Sequence, residues 1–165
     1  MDKDTCIEVL IVGVGNGTRG DDGVGHFIAR ELERLCLPGT RVECYNGDGI
    51  TLFTHWKKGD IVIILDAVRA GESPGKIYRF EMPGQSIPFQ IFSDFSTHQS
   101  GIRETIELAG ALDQLPFRLI VYGVEGRCFE MGSGLSGEVR RAAAEVVEMV
   151  KKDVRINVGK GWLRR

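Results

Sequence analysis

Long hydrophobic runs, closely spaced cysteine pairs and a strong charge bias are all missing from this sequence of 165 residues. The longest unbroken aliphatic run, residues 61–65, is far too short to cross a bilayer. The polar N-terminus has no signal-peptide pattern. A net charge of -2 gives no reason to expect a nucleic acid or a membrane surface as a partner. We therefore expect a cytoplasmic protein.

The four cysteines are Cys6, Cys36, Cys44 and Cys128, and no two of them form a C-x-x-C pair. A catalytic cysteine is the alternative, and it is set aside because no glycine-rich or histidine-bearing context surrounds any of the four. Without an oxidising compartment, we expect reduced thiols that are mostly buried.

The overall composition is that of one globular domain. Hydrophobic residues make up 42% and charged residues 27% of the chain. We expect a single domain over residues 1–153. The residues that follow, 154–165, are basic and lack periodicity, and they predict a flexible tail.

A glycine-rich stretch, residues 13–25, holds six glycines in thirteen positions. It follows an apolar run at residues 7–12 and precedes apolar residues at helical spacing, which predicts a strand-to-helix turn. Asp21 and Asp22 stand where the helix should begin. We expect Asp21 to cap a helix that runs to about Leu35, and we expect the dipole of that helix to keep Asp22 ionised.

A nucleotide site is the competing interpretation of these glycines, and two details oppose it. Thr18 stands where the dinucleotide fingerprint needs its third glycine, and Asp21 with Asp22 would repel a phosphate at the helix N-terminus. The Gly-Lys-Ser/Thr ending of a Walker A loop is missing. The acid pair favours a cation over an anion.

Strands and helices alternate along the sequence, which predicts an α/β three-layer α/β/α sandwich. The sheet is expected to be five-stranded, twisted and mainly parallel. The predicted strands cover residues 7–12, 41–45, 60–66, 76–82 and 118–124, and the predicted helices after the first cover 51–57, about 97–112, and a last helix capped by Ser136. Too few residues separate Asp66 from Lys76 for a crossover helix. The fourth strand should therefore run antiparallel to the third, at a sheet edge.

Working residues of such sheets lie beyond the carboxyl ends of the parallel strands. The polar residues expected there are Asn16, Asp21, Asp22, Asn46, Asp48, Asp66 and Glu125. His98 could join them from the long aperiodic segment 83–97, at the start of the next helix. Two carboxylates and an imidazole suit a divalent metal such as Ni²⁺ or Zn²⁺.

Spacing alone leaves a purely structural alternative open for each of these residues. Asp22 could cap a helix, Asp66 could accept hydrogen bonds from loop amides, and His98 could be an ordinary loop histidine. As an unpaired buried charge Asp66 would be unfavourable, so we expect it to have a cationic or hydrogen-bonding partner. His26 and His55 are interpreted as structural or exposed.

Four segments resemble the motifs of one family, the hydrogenase maturation endopeptidases, in order and spacing. They are residues 13–25, residues 64–67, residues 97–101, and residues 122–125 followed by 134–136. The resemblance covers nearly the whole chain up to the basic tail.

The resemblance implies an endopeptidase that removes the C-terminal extension of a [NiFe] hydrogenase large-subunit precursor after nickel insertion. The catalytic and metal-contacting positions of the family map onto Asp22, Asp66 and His98. Nickel would be supplied by the substrate rather than held permanently. We expect the precursor as the partner and a monomeric enzyme. Whether a metal-bound water or a protein carboxylate activates the nucleophile is left open.

Two departures from the family pattern are visible. The family often has Asp-Gly-Gly-Thr where this chain has Asn46-Gly47-Asp48-Gly49, and Gly126 stands where proline is frequent. The long loop before His98 is where specificity for the substrate subunit is expected. A second hypothesis is a non-catalytic nickel-binding assembly chaperone that kept the sheet and the metal-contacting residues.

Overall fold

The computed structural model of the chain describes residues 9–46, 49–92 and 101–161. The strands are β1 (Val9–Val14), β2 (Thr40–Tyr45), β3 (Ile61–Val68), β4 (Ile77–Met82) and β5 (Arg118–Glu125). The α-helices are α1 (Val24–Arg34), α2 (Ile102–Ala111) and α3 (Gly137–Gly161). Short 3₁₀ segments cover Gly20–Gly23, Gly49–His55 and Phe89–Ile91.

The five strands form one sheet in the order β2-β1-β3-β5-β4. All neighbouring pairs are parallel except β4 with β5, which is antiparallel. The predicted mainly parallel sheet with one antiparallel edge strand is therefore confirmed. β4 does run opposite to β3, but its partner is β5, which pairs with β3 along its whole length from Ile61↔Arg118 to Val68↔Glu125.

Two apolar layers cover the sheet, one on each face. The inward residues of α1 and α3 pack on Ile61, Ile63 and Leu65 of β3. α2 and the Gly49–His55 segment pack on the other face, against Val62 and Ile64. A strand that is buried on both faces belongs at the centre of a sheet, and this is why β3 reads as a continuous aliphatic run.

The last helix differs from the prediction. α3 continues to Gly161, and Val154 lies in the core with 3% exposure. The prediction of an aperiodic tail from residue 154 is therefore wrong as far as Gly161. Residues 162–165 lie outside the described residues. Polar contacts hold this extension against the sheet, because Arg118 Nη1 donates to Asn157 Oδ1 at 2.5 Å. On the preceding turn, Asp153 accepts from Tyr122 Oη at 2.6 Å.

Two other local predictions also need correction. The helix expected over about residues 97–112 is α2, which begins at Ile102 with Gly101 in the cap position, and residues 93–100 lie outside the described residues. The helix expected over residues 51–57 is the 3₁₀ segment Gly49–His55.

The described cysteines do not have the burial that we expected. Cys36 and Cys44 are exposed and Cys128 is partly exposed, so the prediction of buried thiols is wrong for these three cysteines. Cys6 lies outside the described residues. Among the helices of the described part, none is both long and apolar enough to span a membrane.

Close packing brings the start of α1 onto the carboxyl ends of β1 and β3. A Cβ at Gly25 would lie 2.2 Å from Leu65 O and 2.4 Å from Val14 O, and a Cβ at Gly13 would lie 2.4 Å from Gly25 O. Only glycine permits this approach, because the neighbours are backbone atoms that cannot turn aside. The contact sets the residues before α1 beside the end of β3.

Gly25→Ala should lower the free energy of unfolding. Alanine is favoured over glycine in a helix by about 1 kcal/mol, but overpacking against backbone carbonyls should outweigh this with a loss of about 1–3 kcal/mol. Urea unfolding followed by circular dichroism measures the change. Gly59→Ala is the control, because a Cβ there meets nothing within 4 Å. Equal stability of the two variants would contradict the packing argument.

Candidate active site

The glycine-rich loop after β1 is organised around Asn16 and Asp22. The backbone N–H of Asn16 donates to Asp22 Oδ2 at 3.1 Å. The side-chain oxygen Oδ1 of Asn16 accepts from Thr18 N at 3.0 Å and from Thr18 Oγ1 at 2.7 Å. Gly15 has φ +124°, and a Cβ there would lie 2.1 Å from Asp22 O. These contacts hold the partly exposed Asp22 carboxylate over the end of β1.

Asp66 is on β3 and its side chain is also partly exposed. Ala67 N donates to Asp66 Oδ1 at 2.8 Å, which is the hydrogen-bonding partner expected for this carboxylate. Burial, and then the negative charge of Asp22, raise the pKa of Asp66 well above its usual range. The two carboxylates therefore interact across the carboxyl edge of the sheet.

The pKa of Asp22 is raised as well. Burial is the main cause, and the Asn16 amide and the positive charge of Arg19 oppose it. Desolvation is thus the dominant influence on the pKa of Asp22. Within the described residues, neither Asp22 nor Asp66 forms an ion pair.

Two interacting carboxylates can share a proton or bind a divalent cation between them. Carboxylate oxygens alone are the donors that hard cations such as Mg²⁺, Ca²⁺ and Mn²⁺ prefer, and nickel is matched better by a site that also has an imidazole. In the described part of the chain, no group of three His, Cys, Asp or Glu side chains is arranged to hold a metal ion. His98, the third predicted site residue, lies outside the described residues. Asp22 and Asp66 are brought together at one sheet edge, as expected from the positions of the strand ends.

Asp21 does not cap the helix, contrary to our expectation. Its side chain is fully buried. The cap positions of the Gly20–Gly23 segment and of α1 are Arg19 and Gly23, and neither has a side-chain cap. The Asp21 carboxylate instead reaches the loop between β5 and α3, where it accepts hydrogen bonds from Arg127 N (2.7 Å), Cys128 N (2.8 Å), Ser136 N (2.7 Å) and Ser136 Oγ (2.9 Å).

Backbone hydrogen bonds reinforce the link between these two loops. Asp21 N donates to Cys128 O at 2.7 Å, Gly20 N to Ser133 O at 3.1 Å and Gly132 N to Thr18 O at 2.8 Å. The loop that carries Asp22 is therefore joined to the loop after β5 along most of its length. This bridge was missed because the two segments are more than a hundred residues apart in the sequence.

Glu125 also has a structural role. Its buried carboxylate accepts from three successive amides, Ala70 N and Gly71 N at 3.0 Å and Glu72 N at 3.3 Å. These contacts fix the loop after β3 and use both oxygens of the carboxylate. Of the other expected rim residues, Asn46 is exposed at the end of β2 and Asp48 lies outside the described residues.

The two described histidines have the structural roles that we expected. His26 is buried, with Nε2 3.2 Å from Tyr45 O. His55 Nδ1 lies 2.7 Å from Glu43 Oε2.

Two arginines at this edge were not predicted. The positive charges of Arg19 and Arg69 both act on Asp22. Arg69 directly follows β3, and its Cζ lies 3.9 Å from the centroid of the Phe129 ring. Its position three residues after Asp66 was the available signal, because strand-end residues share one edge of the sheet.

Comparison with known proteins identifies the family. The model of the HycI family, described as hydrogenase maturation protease, matches residues 28–153. This chain belongs to the hydrogenase maturation protease family. Among curated family relatives, the hydrogenase expression/formation protein HupD of Thiocapsa roseopersicina is 30% identical over 146 residues, which are 86% of this chain and 65% of that protein. The chain thus spans just under two thirds of that relative's length.

Two further similarities agree with the family in sequence and in fold. Protein FrxA of Pyrococcus furiosus is 34% identical over 139 residues, or 82% of this chain and 97% of that protein. The hydrogenase maturating endopeptidase HybD from E. coli has a similar structure, with a TM-score of 0.76 at 23% identity. The match covers 92% of this chain and 94% of that one. At this identity, the structural likeness shows that the fold is shared.

Asp21→Asn should destabilise the protein by about 1–3 kcal/mol, because the new NH₂ group faces buried donors and leaves them without an acceptor. Urea unfolding is the measurement. Asp113→Asn is the matched control, since Asp113 has an 87% exposed side chain that pairs only with Lys58 among the described salt bridges. The control should change stability by less than about 0.5 kcal/mol. A loss no greater than that of the control would show that the Asp21 bridge is unimportant.

Asp66→Asn should make the protein more stable at neutral pH. A carboxyl group whose pKa is higher in the folded than in the unfolded state loses stability as pH rises between the two values. Asparagine removes this cost and can still accept from Ala67 N. Urea unfolding with a chelator present should show the gain at neutral pH. The gain should vanish below about pH 3.9, the ordinary aspartate pKa. A variant that is less stable at neutral pH would contradict the raised pKa.

Proposed function

We propose that this chain is an endopeptidase that removes the C-terminal extension of a [NiFe] hydrogenase large-subunit precursor after nickel insertion. The observation that carries the proposal is the interacting pair Asp22 and Asp66 at the carboxyl edge of the sheet. The family motifs in the sequence map their metal-contacting positions onto these two residues, which supports the proposal. Membership of the maturation protease family supports the reaction type and the substrate.

In this proposal the nickel ion belongs to the precursor, and Asp22, Asp66 and His98 contact it when the precursor binds. A divalent cation at such a site can polarise a carbonyl oxygen or lower the pKa of a bound water. Two negative carboxylates whose pKa values are raised by burial favour the approach of a cation, since its charge offsets their repulsion. This provides a physical reason for the enzyme to select loaded over empty precursor.

The neighbouring structure keeps the two carboxylates in place before the substrate arrives. Asn16 N holds Asp22 and Ala67 N holds Asp66, and the Asp21 bridge fixes the loop that carries Asp22. Preorganised groups lose little entropy when a substrate binds. We infer that recognition depends on this fixed arrangement of side chains.

We also propose that the enzyme acts in the cytoplasm. Cys36, Cys44 and Cys128 are free thiols, and two of them are exposed. Exposed thiols persist where the compartment is reducing, which supports this location.

The alternative is a non-catalytic nickel-binding chaperone for hydrogenase assembly. Such a protein would bind the precursor and leave its mass unchanged. The maturation proteases among its relatives favour the endopeptidase, for example the hydrogenase 2 maturation protease of Escherichia coli, which is 25% identical over 147 residues.

Incubation with nickel-loaded and nickel-free precursor, followed by mass spectrometry, tests the proposal. The wild-type chain should shorten only the loaded precursor. Asp22→Asn, Asp66→Asn and His98→Ala should each reduce processing by at least about a hundredfold, a loss typical of residues that act directly in catalysis. Each variant should keep the wild-type circular dichroism spectrum.

Asp113→Asn serves as the control, because its exposed carboxylate lies away from the site and its variant should process normally. Equal cleavage of the nickel-loaded and the nickel-free precursor would refute the proposal that the enzyme recognises nickel. An unchanged precursor mass would favour the chaperone, and full activity of all three site variants would refute the site.

A further inference from the structure

Arg69 is a fixed cation at the edge of the candidate site. It follows the last residue of β3, and its own amide donates to Ile91 O at 2.8 Å. Its side chain is exposed to solvent, and its guanidinium lies over the Phe129 ring with Cζ 3.9 Å from the ring centroid. This cation–π contact holds the guanidinium against the ring, and arginine carries several N–H donors in one planar group.

The Phe129 ring is itself held rigidly. It is 8% exposed and lies over Gly126, where a Cβ would come within 2.3 Å of Phe129 Cζ. The same Cβ would lie 3.2 Å from Asp21 Cβ. The Asp21 carboxylate holds the amide of Cys128, the residue before this phenylalanine. The ring that supports Arg69 is thus fixed by the residue next to Asp22.

The charges around Arg69 are mixed. Burial and the positive charge of Arg19 lower the pKa of Arg69, whereas the negative charges of Asp22 and Glu125 raise it. Glu125 is already held by three amides of the loop after β3. Asp22 is one of the two acids of the site, so the guanidinium lies near this carboxylate, at the edge of the sheet where β3 ends.

We propose that Arg69 binds the carbonyl oxygen of the peptide bond to be cleaved and stabilises the negative charge that forms on it. The inference rests on the proposed endopeptidase function. It assigns a catalytic group that donates hydrogen bonds, at a site whose other assigned residues are two carboxylates and a histidine.

The chemistry of hydrolysis explains why such a group is needed. A water oxygen adds to the carbonyl carbon, the water proton passes to a base, and the carbonyl oxygen becomes negative. The C–N bond then breaks, the nitrogen takes a proton, and a carboxylate and an amine are released. The carboxylate of Asp22 repels the new negative charge, so a cation near it should lower the energy of the transition state.

Arg69→Gln tests the proposal, with Arg127→Gln as the matched control. Arg127 is an exposed arginine of the adjacent loop whose Nη1 pairs with Glu138 at 3.0 Å. Processing of nickel-loaded precursor is followed by mass spectrometry, and precursor binding is measured separately by calorimetry. We expect kcat of Arg69→Gln to fall by about a hundredfold, as on removal of one oxyanion donor. Affinity for the precursor should change less than threefold or so, well below the effect on kcat.

Arg69→Lys should recover part of the lost kcat, because it restores the charge without the planar donors. Phe129→Leu should lower kcat with Arg69 intact, since the guanidinium loses its support. Arg127→Gln should behave like the wild type in both measurements.

Three results would overturn the assignment. In one, Arg69→Gln keeps wild-type kcat. In another, its whole loss appears in precursor affinity, which would make Arg69 a docking residue. In the third, Arg127→Gln loses as much kcat as Arg69→Gln. If the wild-type chain itself leaves the precursor intact, the proposed function fails and the role of Arg69 fails with it.

Discussion

The candidate site depends on one buried carboxylate, that of Asp21. Its four hydrogen bonds join the glycine-rich loop after β1 to the loop between β5 and α3. A buried charge is unfavourable unless its hydrogen-bonding capacity is filled, and here backbone amides and one hydroxyl fill it. Through this bridge the residue next to Asp22 also positions Phe129. Asp21 thus holds the two loops together, whereas the neighbouring Asp22 faces the edge of the sheet.

The site holds two carboxyl groups in an environment that disfavours their charged forms. Burial and mutual repulsion raise the pKa of Asp66, and burial raises that of Asp22. Strain of this kind persists only where the surrounding structure enforces it. Here the enforcement is steric, because the close approach at Gly13 and Gly25 fixes α1 on the ends of β1 and β3. Groups with perturbed pKa values cluster at functional sites, which makes this pair a candidate site.

Local patterns predicted most of the fold, and long-range contacts account for most of the differences. The aliphatic β3 and the alternation of strands and helices led to the correct sheet, because burial on both faces leaves a clear sequence signal. The role of Asp21 could not be found this way, since its partners begin at Arg127. The end of α3 was missed although apolar residues at helical spacing continue through Val150, Val154 and Val158, and contacts such as Arg118 with Asn157 add to this packing. For the site, strand ends gave seven polar candidates, and the family resemblance selected Asp22 and Asp66 among them. The stacking of Arg69 on Phe129 required coordinates.

A carboxyl-carbon NMR titration of the metal-free protein tests the interaction between Asp22 and Asp66 most directly. In the wild type, both groups should titrate above the ordinary aspartate pKa of about 3.9, and Asp66 should be shifted further. In Asp22→Asn, the pKa of Asp66 should fall, because the neighbouring negative charge is gone. If Asp66 titrates at the ordinary value, or if its pKa is unchanged in Asp22→Asn, the two carboxylates do not form a common site.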